Sequence, residues 1–282
     1  MSNNNLVLNR FFTKYVFDDL VSNHTSDTYC TVVKRYLKDE RGKSNGQVIS
    51  QIYKYMSRNY RNEYFYQNTM LNKLLLGRHS LHTTTALTQI PIGKSKADFI
   101  MINGKAVVYE IKTELDSFDR LNTQLDDYFK AFNHVCVVTC ESNFDKINRL
   151  LTGSPVGICI LSDRNTLRFP KHPEEYNEKL SHEALFKLLH KKEFERILHS
   201  YYGCLPQTTQ VFYYDECFHQ FSNIPIPVLY PMVLVQLKKR NRIIEEHYQN
   251  VPYELKSLLY FYNAKEKDYC NLSFFLNDKY RG

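Results

Sequence analysis

The stretch Ala97-Asp98-Phe99-Ile100-Met101-Ile102-Asn103-Gly104-Lys105-Ala106-Val107-Val108-Tyr109-Glu110-Ile111-Lys112 sets two apolar strands around an Asn-Gly turn, with an acid on the first strand and Glu-x-Lys ending the second. Strand side chains alternate between faces, so the length of the turn decides which charges meet. A two-residue Asn-Gly turn, the form this dipeptide favours, pairs Ile102 with Lys105 and sends Asp98 and Glu110 to opposite faces. A three-residue loop pairs Ile102 with Ala106 and sets Asp98 directly across from Glu110. Lys112 shares the face of Glu110, while Ile111 turns its side chain into the core and leaves its carbonyl for another partner. Two carboxylates about 5 Å apart repel by roughly 3 kcal/mol at an effective dielectric of about 20. A divalent cation would offset that repulsion, and sharing one requires the odd loop or a β-bulge. Hard oxygens, a divalent ion and a nearby ammonium together make a hydrolytic site.

The flanks extend the pattern. After Lys112 the run Thr113-Glu114-Leu115-Asp116-Ser117 leads into helical periodicity over 117–133, with Leu121, Leu125, Tyr128, Phe129 and Phe132 on one side and Gln124 four residues before Tyr128. Asp116 or Ser117 suits the N-cap of that helix, and Glu114 reads as solvated rather than as a ligand. Upstream, Arg61-Asn62-Glu63-Tyr64 opens a helix expected to run through Leu76 and to close at Gly77. The expected order is then helix, strand over 87–92, strand over 97–103, strand over 106–112, helix 117–133, strand 135–139, helix 143–151 and strand 156–161.

An acid, a short interval and then Glu-x-Lys resembles the signature of the PD-(D/E)xK, or restriction-endonuclease-like, nuclease superfamily. Its proline is absent, since Ser95-Lys96-Ala97 precede Asp98. Gln124-x-x-x-Tyr128 resembles the motif that follows Glu-x-Lys in the RecB-like branch, and Glu63 matches the acid on the first core helix of many such nucleases. The chain also resembles a small bacterial family, designated by a locus tag, that carries the run Glu110-Ile111-Lys112-Thr113-Glu114-Leu115-Asp116. The superfamily resemblance covers residues 60–165 and implies an α/β fold with an αβββαβ core and a mixed sheet. It implies that Asp98, Glu110 and the Ile111 carbonyl hold one Mg²⁺ or Mn²⁺, with Glu63 helping through a water. Lys112 would orient the attacking water and stabilise developing charge, and Gln124 and Tyr128 would contact substrate. The product would carry a 5′-phosphate. Each residue has a plainer reading: Glu-x-Lys at a strand end is common, Gln124 could be a polar helix-boundary residue, Tyr128 could be core, and a first-turn Glu63 suits the helix dipole.

Composition bounds the rest. The chain has 282 residues, 43% of them hydrophobic, and a formal net charge of +7. Such a length holds one or two domains, and such a charge is compatible with a polyanionic partner without naming it. The expected regions are an N-terminal helical part over 1–59, the nuclease core over 60–170 and a mainly helical C-terminal part over 171–282. Helices are expected over 6–20, 47–58, 180–202, near 209–221, 228–248 and 252–263, with Ser2 to Asn5 frayed. Gly42-Lys43-Ser44 sits in a loop with no upstream glycine at phosphate-loop spacing. The seven cysteines are scattered and read as reduced, and Cys217 with His219 lacks two further partners for zinc. Ile224 to Leu237, the longest apolar run, is broken by three prolines and is too short to span a bilayer. A cytoplasmic location without membrane association follows as an expectation.

Lys191-Lys192, Lys238-Lys239-Arg240 and Arg242 could meet phosphates or form a solvated helix face. The functional expectation is a metal-dependent DNase, with defence against phage or plasmid DNA suggested by the company such folds keep. Two alternatives stand beside it: a nucleic-acid-binding or protein-interaction module without cleavage, whose flanking helices recruit a partner or a second copy, and an RNase.

Overall fold

The computed structural model describes residues 5–38, 40–77, 80–240 and 243–281. Five helices come first: α1 (Leu6–Phe11), α2 (Lys14–Asn23), α3 (Asp27–Tyr36), α4 (Asn45–Asn59) and α5 (Glu63–Met70). The helix expected over 6–20 is interrupted at Phe12 and Thr13, and of the Asn-rich start, residues 2–4 lie outside the described residues. Ser44 closes the Gly-Lys-Ser loop as the N-cap of α4, its hydroxyl accepting from the Gln47 N–H while the Gln47 side chain accepts from the Ser44 N–H. A helix start explains that tripeptide fully.

The helix opened by Glu63 differs from expectation in its second half. From Leu71 to Leu76 it widens to a π-helical segment, and Gly77 keeps a right-handed backbone with φ −88° rather than making a left-handed stop. The apolar run Leu71, Leu74 and Leu75 is fully buried there, so packing rather than a glycine sets the helix geometry.

Strands follow: β1 (Thr85–Leu87), β2 (Ile90–Ile92), β3 (Ser95–Ala97), β4 (Phe99–Asn103), β5 (Lys105–Lys112), β6 (Val135–Thr139), β7 (Gly157–Leu161) and β8 (Leu167–Lys171). Six form a mixed sheet in the order β1-β4-β5-β6-β7-β8, parallel only at β5-β6 and β6-β7, and β2 pairs with β3 in a separate hairpin. The single strand expected over 87–92 is therefore two, parted at Thr88 and Gln89, the latter at φ 54°. The antiparallel β8 was not among the expected strands; its side chains alternate between half-buried and exposed, a weak signal beside the wholly buried β6 and β7.

Helices α6 (Leu121–Phe129), α7 (Phe144–Leu150), α8 (His182–Leu188), α9 (Lys191–Tyr202), α10 (Gln210–Ser222) and α11 (Ile226–Lys238) accompany the sheet, and α12 (Glu245–Tyr248), α13 (Lys256–Tyr262) and α14 (Glu266–Asn277) end the chain. The α6 helix starts four residues later than expected. Asp116 does not cap it; its carboxylate instead accepts from the N–H and hydroxyl of Thr113, a local turn that competes with helix. The helix expected over 180–202 breaks at Leu189 and His190, the one expected over 228–248 stops at Lys238, and α14 was not expected.

The chain divides into two units: residues 1–81 with 242–282, and residues 82–241. The expected regions 1–59, 60–170 and 171–282 do not coincide with these. In the first unit α14 packs on α2 and α4, where the Asn45 side-chain amide donates to the Phe275 carbonyl at 3.0 Å. In the second unit α6 lies over one face of the sheet, and its Leu121, Leu125, Tyr128 and Phe129 share a core with Ile100, Ile102, Ala106, Val108 and Val137. Removing one such buried leucine side chain would cost about 2–5 kcal/mol. No helix among the described residues is long and apolar enough to cross a membrane.

Candidate functional site

The hairpin takes the longer loop. Ile102 pairs with Ala106 and Phe99 with Tyr109, leaving Gly104 at the tip with φ 70°, where a side chain would be strained. Asp98 precedes β4 at a bend, and its charge acts on the Tyr128 hydroxyl of α6. The Asp98 carboxylate accepts from the Ile111 N–H at 2.9 Å, which fixes it beside the end of β5. In an extended strand the N–H and C=O of one residue point to the same edge, so the Ile111 carbonyl is turned toward Asp98 as well.

Glu110 is 1% exposed and Lys112 8%. Burying a carboxylate this deeply is costly unless each oxygen is matched. One oxygen meets the Lys112 ammonium at 2.9 Å and the other the Tyr128 hydroxyl at 2.5 Å. The same hydroxyl lies 2.9 Å from the Lys96 carbonyl, and its single proton belongs to the charged acceptor. Burial first, and then the Glu110 charge, push the Tyr128 phenol far above its usual range, so it stays a donor. Gln124 completes the group by accepting from Lys112 Nζ at 2.9 Å. Spacing of four on α6 puts Gln124 and Tyr128 one turn apart, each over one of the paired charges of β5.

Five of the six residues singled out from sequence, Asp98, Glu110, Lys112, Gln124 and Tyr128, thus belong to one group, with the Ile111 main chain beside them. Glu63 is an exposed first-turn residue of α5 and belongs to the other unit. The plainer reading of Gln124 as a boundary residue does not describe it: it stands mid-helix and holds Lys112.

Supporting residues escaped the sequence reading. Asp127 is buried and accepts from the Lys94 N–H, the Ser95 hydroxyl and Lys130, pinning the β2-β3 hairpin to α6. The signal was Gly93, at φ 59°, where a Cβ would stand 2.6 Å from the Asp127 carboxylate. Thr139 donates to the Lys112 carbonyl at 2.8 Å and Asn143 to the Thr113 carbonyl at 3.1 Å, holding the strand end on its far side.

The donor set fits a divalent cation. Two carboxylates, Asp98 and Glu110, lie by the end of β5 with the Lys112 ammonium bonded to Glu110, and hard oxygens of this kind are what a divalent cation takes. Among the described residues no group of three or more His, Cys, Asp or Glu side chains converges to hold a metal. Two carboxylates and a main-chain carbonyl make the partial cage that Mg²⁺ uses, the other positions going to water and to substrate oxygens.

The family model described as bacteriophage P4 protein cII matches residues 56–251, more than two thirds of the chain. The chain belongs to that family. The match takes in all five residues of this group, and the helices from α8 to α11 with them. No curated protein and no solved structure matches the chain.

The basic runs resolve differently from one another. Arg240 is not directed at phosphates: its guanidinium is bound to Glu193 and to the Leu188 carbonyl. Lys191 reaches Glu195 at 3.9 Å and lies over the Tyr213 ring, Lys192 and Lys239 are exposed, and Arg242 lies outside the described residues. The seven cysteines are all free thiols.

Proposed function

We propose that the chain is a metal-dependent nuclease that hydrolyses phosphodiester bonds of DNA, built on a restriction-endonuclease-like core of the RecB-like type. One observation carries the reading: the Ile111 N–H holds the Asp98 carboxylate beside Glu110, whose oxygens meet Lys112 and Tyr128, with Gln124 on Lys112. Asp98, Glu110 and the Ile111 carbonyl would hold Mg²⁺ or Mn²⁺. When bound, such an ion supplies Lewis acidity, lowering the pKa of a water and neutralising phosphate charge.

The chain's own residues do the rest. The Ile111 N–H fixes the Asp98 carboxylate, and the Tyr128 hydroxyl fixes that of Glu110, so neither acid needs to reorganise when substrate arrives. Lys112, steadied by Gln124, offers a positive charge to the phosphoryl oxygens as negative charge builds on them in the transition state. Water adds to phosphorus and the bond to the 3′-oxygen breaks, leaving a 5′-phosphate and a 3′-hydroxyl.

The test compares labelled single-stranded DNA, duplex DNA and RNA in one assay. Cleavage of DNA should need Mg²⁺ or Mn²⁺, stop with EDTA and vanish in Lys112→Ala and Asp98→Ala proteins that still fold. RNA cut in preference to DNA would make the chain an RNase. Binding without cleavage of any substrate would mark a recognition module and sink the enzyme reading.

A further inference from the structure

At the other end of β5 from the acids, the second unit has an open cavity of about 650 Å³. Lys105, at the start of the strand, and Lys112, at its end, are seven residues apart, which at about 3.3 Å per residue separates the two places by roughly 23 Å. The cavity lies between the hairpin tip, the start of β6 and α11, and its volume falls within the roughly 300–1,000 Å³ of pockets that take drug-sized ligands.

Its polar groups have a direction. His134 is 7% exposed, and its Nδ1 lies 2.9 Å from the Asn133 side-chain oxygen. That oxygen is fixed as an acceptor, because the amide nitrogen of Asn133 donates to Glu175 and Asn177 and the Tyr230 hydroxyl donates to the oxygen itself. Nδ1 must therefore carry the proton of the neutral ring, and Nε2 keeps a lone pair. Burial, and then the charge of Lys105, hold His134 below the usual histidine range, so the neutral form prevails near pH 7. Nε2 bonds no described residue and is not sealed in the core, so it opens onto the cavity that His134 lines.

Around this acceptor stand Glu175, tied to the same Asn133, two ammonium groups from Lys105 and Lys238, and apolar walls from Ile102 and Leu234. A ligand that satisfies them carries an anionic group for the two ammonium groups, N–H donors for His134 Nε2 and Glu175, and an apolar body for the walls. Free amino acids share the charges but would leave most of the space empty.

We infer that this cavity is a second ligand site that takes a nucleoside monophosphate, the phosphate between Lys105 and Lys238 and the base N–H groups on His134 Nε2 and Glu175. The site is separate from the acidic group and does not depend on the nuclease reading.

The test is isothermal titration of the full chain with the four deoxynucleoside 5′-monophosphates in EDTA, which removes any contribution from a metal at Asp98 and Glu110. At least one nucleotide should bind with one-to-one stoichiometry, more tightly than its nucleoside or inorganic phosphate. Lys105→Glu and Lys238→Glu should each weaken it at least tenfold, and Val235→Trp, from a half-exposed wall position, should remove it. Melting curves matching the parent would show that these variants fold, and Lys112→Ala should bind as the parent does. No binding at millimolar nucleotide, binding unmoved by both charge reversals, or equal binding of a free amino acid would overturn the proposal.

Discussion

Two buried glutamates in the same unit are each paired with a cation, and they are built differently. Glu193 belongs to the α9 N-terminus: its carboxylate accepts from the His190 N–H at 2.7 Å and from Arg240 at 2.7 and 2.5 Å, while Arg240 also donates to the Leu188 carbonyl. A planar guanidinium meets a planar carboxylate across 47 residues and closes α9 onto the end of α11. Among the described residues no other carboxylate enters this group of bonds. Glu110 has an ammonium two residues away on its own strand and the Tyr128 hydroxyl, and a second acid, Asp98, is held at the adjacent Ile111 N–H. A rigid fork with balanced charge is what a structural pair needs. Adjustable donors with an excess of negative charge are what a cation site needs. Substituting the Glu193 pair should therefore cost stability alone, and substituting the Glu110 pair should cost activity as well.

The largest effect should fall on turnover. Lys112→Ala and Asp98→Asn should reduce DNA cleavage by at least about 100-fold, as losing a charge-stabilising group does in other active sites. Asp98→Asn keeps a side-chain oxygen that can accept from the Ile111 N–H, so the variant should still fold in EDTA. A variant that cuts normally, or one that unfolds, would erase the contrast with Glu193.

Arg240→Ala should do the reverse. It leaves a buried carboxylate without its partner and should destabilise the protein by about 3–5 kcal/mol in urea titrations, with cleavage per folded molecule unchanged. The loss should depend on pH. Burial alone would push the Glu193 carboxyl up, but Arg240 and the His190 N–H outweigh it and hold the group below the usual range. A carboxyl lowered in the folded state contributes stability that is fully present above its unfolded value of about 4.3 and is lost as the pH falls through the folded value. The gap between parent and variant should be widest at neutral pH and close below about pH 4.

The two pairs also differed in how far the sequence revealed them. Asp98, Glu110 and Lys112 lie within 15 residues, so alternation along one hairpin fixes their faces once the loop length is known. Asn-Gly is compatible with either loop, and that ambiguity was local. The structure resolves it by placing Gly104 in the left-handed region at the tip. Gln124 and Tyr128 were legible because helical spacing is as regular as strand alternation. Arg240 was not, since a basic run at a helix end looks solvated and nothing nearby names Glu193 as its partner. For the same reason the boundaries of α6 and α9 were misjudged: the Thr113 to Asp116 turn and the His190 break are decided by side-chain bonds that periodicity does not see.

Ligand addition should separate the pairs again. Millimolar Mg²⁺ or Mn²⁺ should raise the melting temperature of the parent, and saturation at about 100 times the dissociation constant corresponds to roughly 2.7 kcal/mol. Asp98→Asn should lose the increase. Arg240→Ala should start from a lower melting temperature and gain as much as the parent. An equal rise in all three proteins would mean that the ion binds elsewhere.

The smallest effect is expected at Tyr128→Phe, which keeps the ring that fills the core and removes only the hydroxyl on Glu110. Losing a hydrogen bond to a charged group costs about 1.5–3 kcal/mol, so the fold should survive with a lower urea midpoint. A purely structural tyrosine would show that change alone. If the hydroxyl instead holds Glu110 in the attitude that a cation needs, the variant should require more Mg²⁺ for half-maximal cleavage while approaching parental turnover at saturating metal. Lys112→Ala should not recover at any metal concentration, because added metal does not replace the positive charge proposed to meet the phosphoryl oxygens in the transition state.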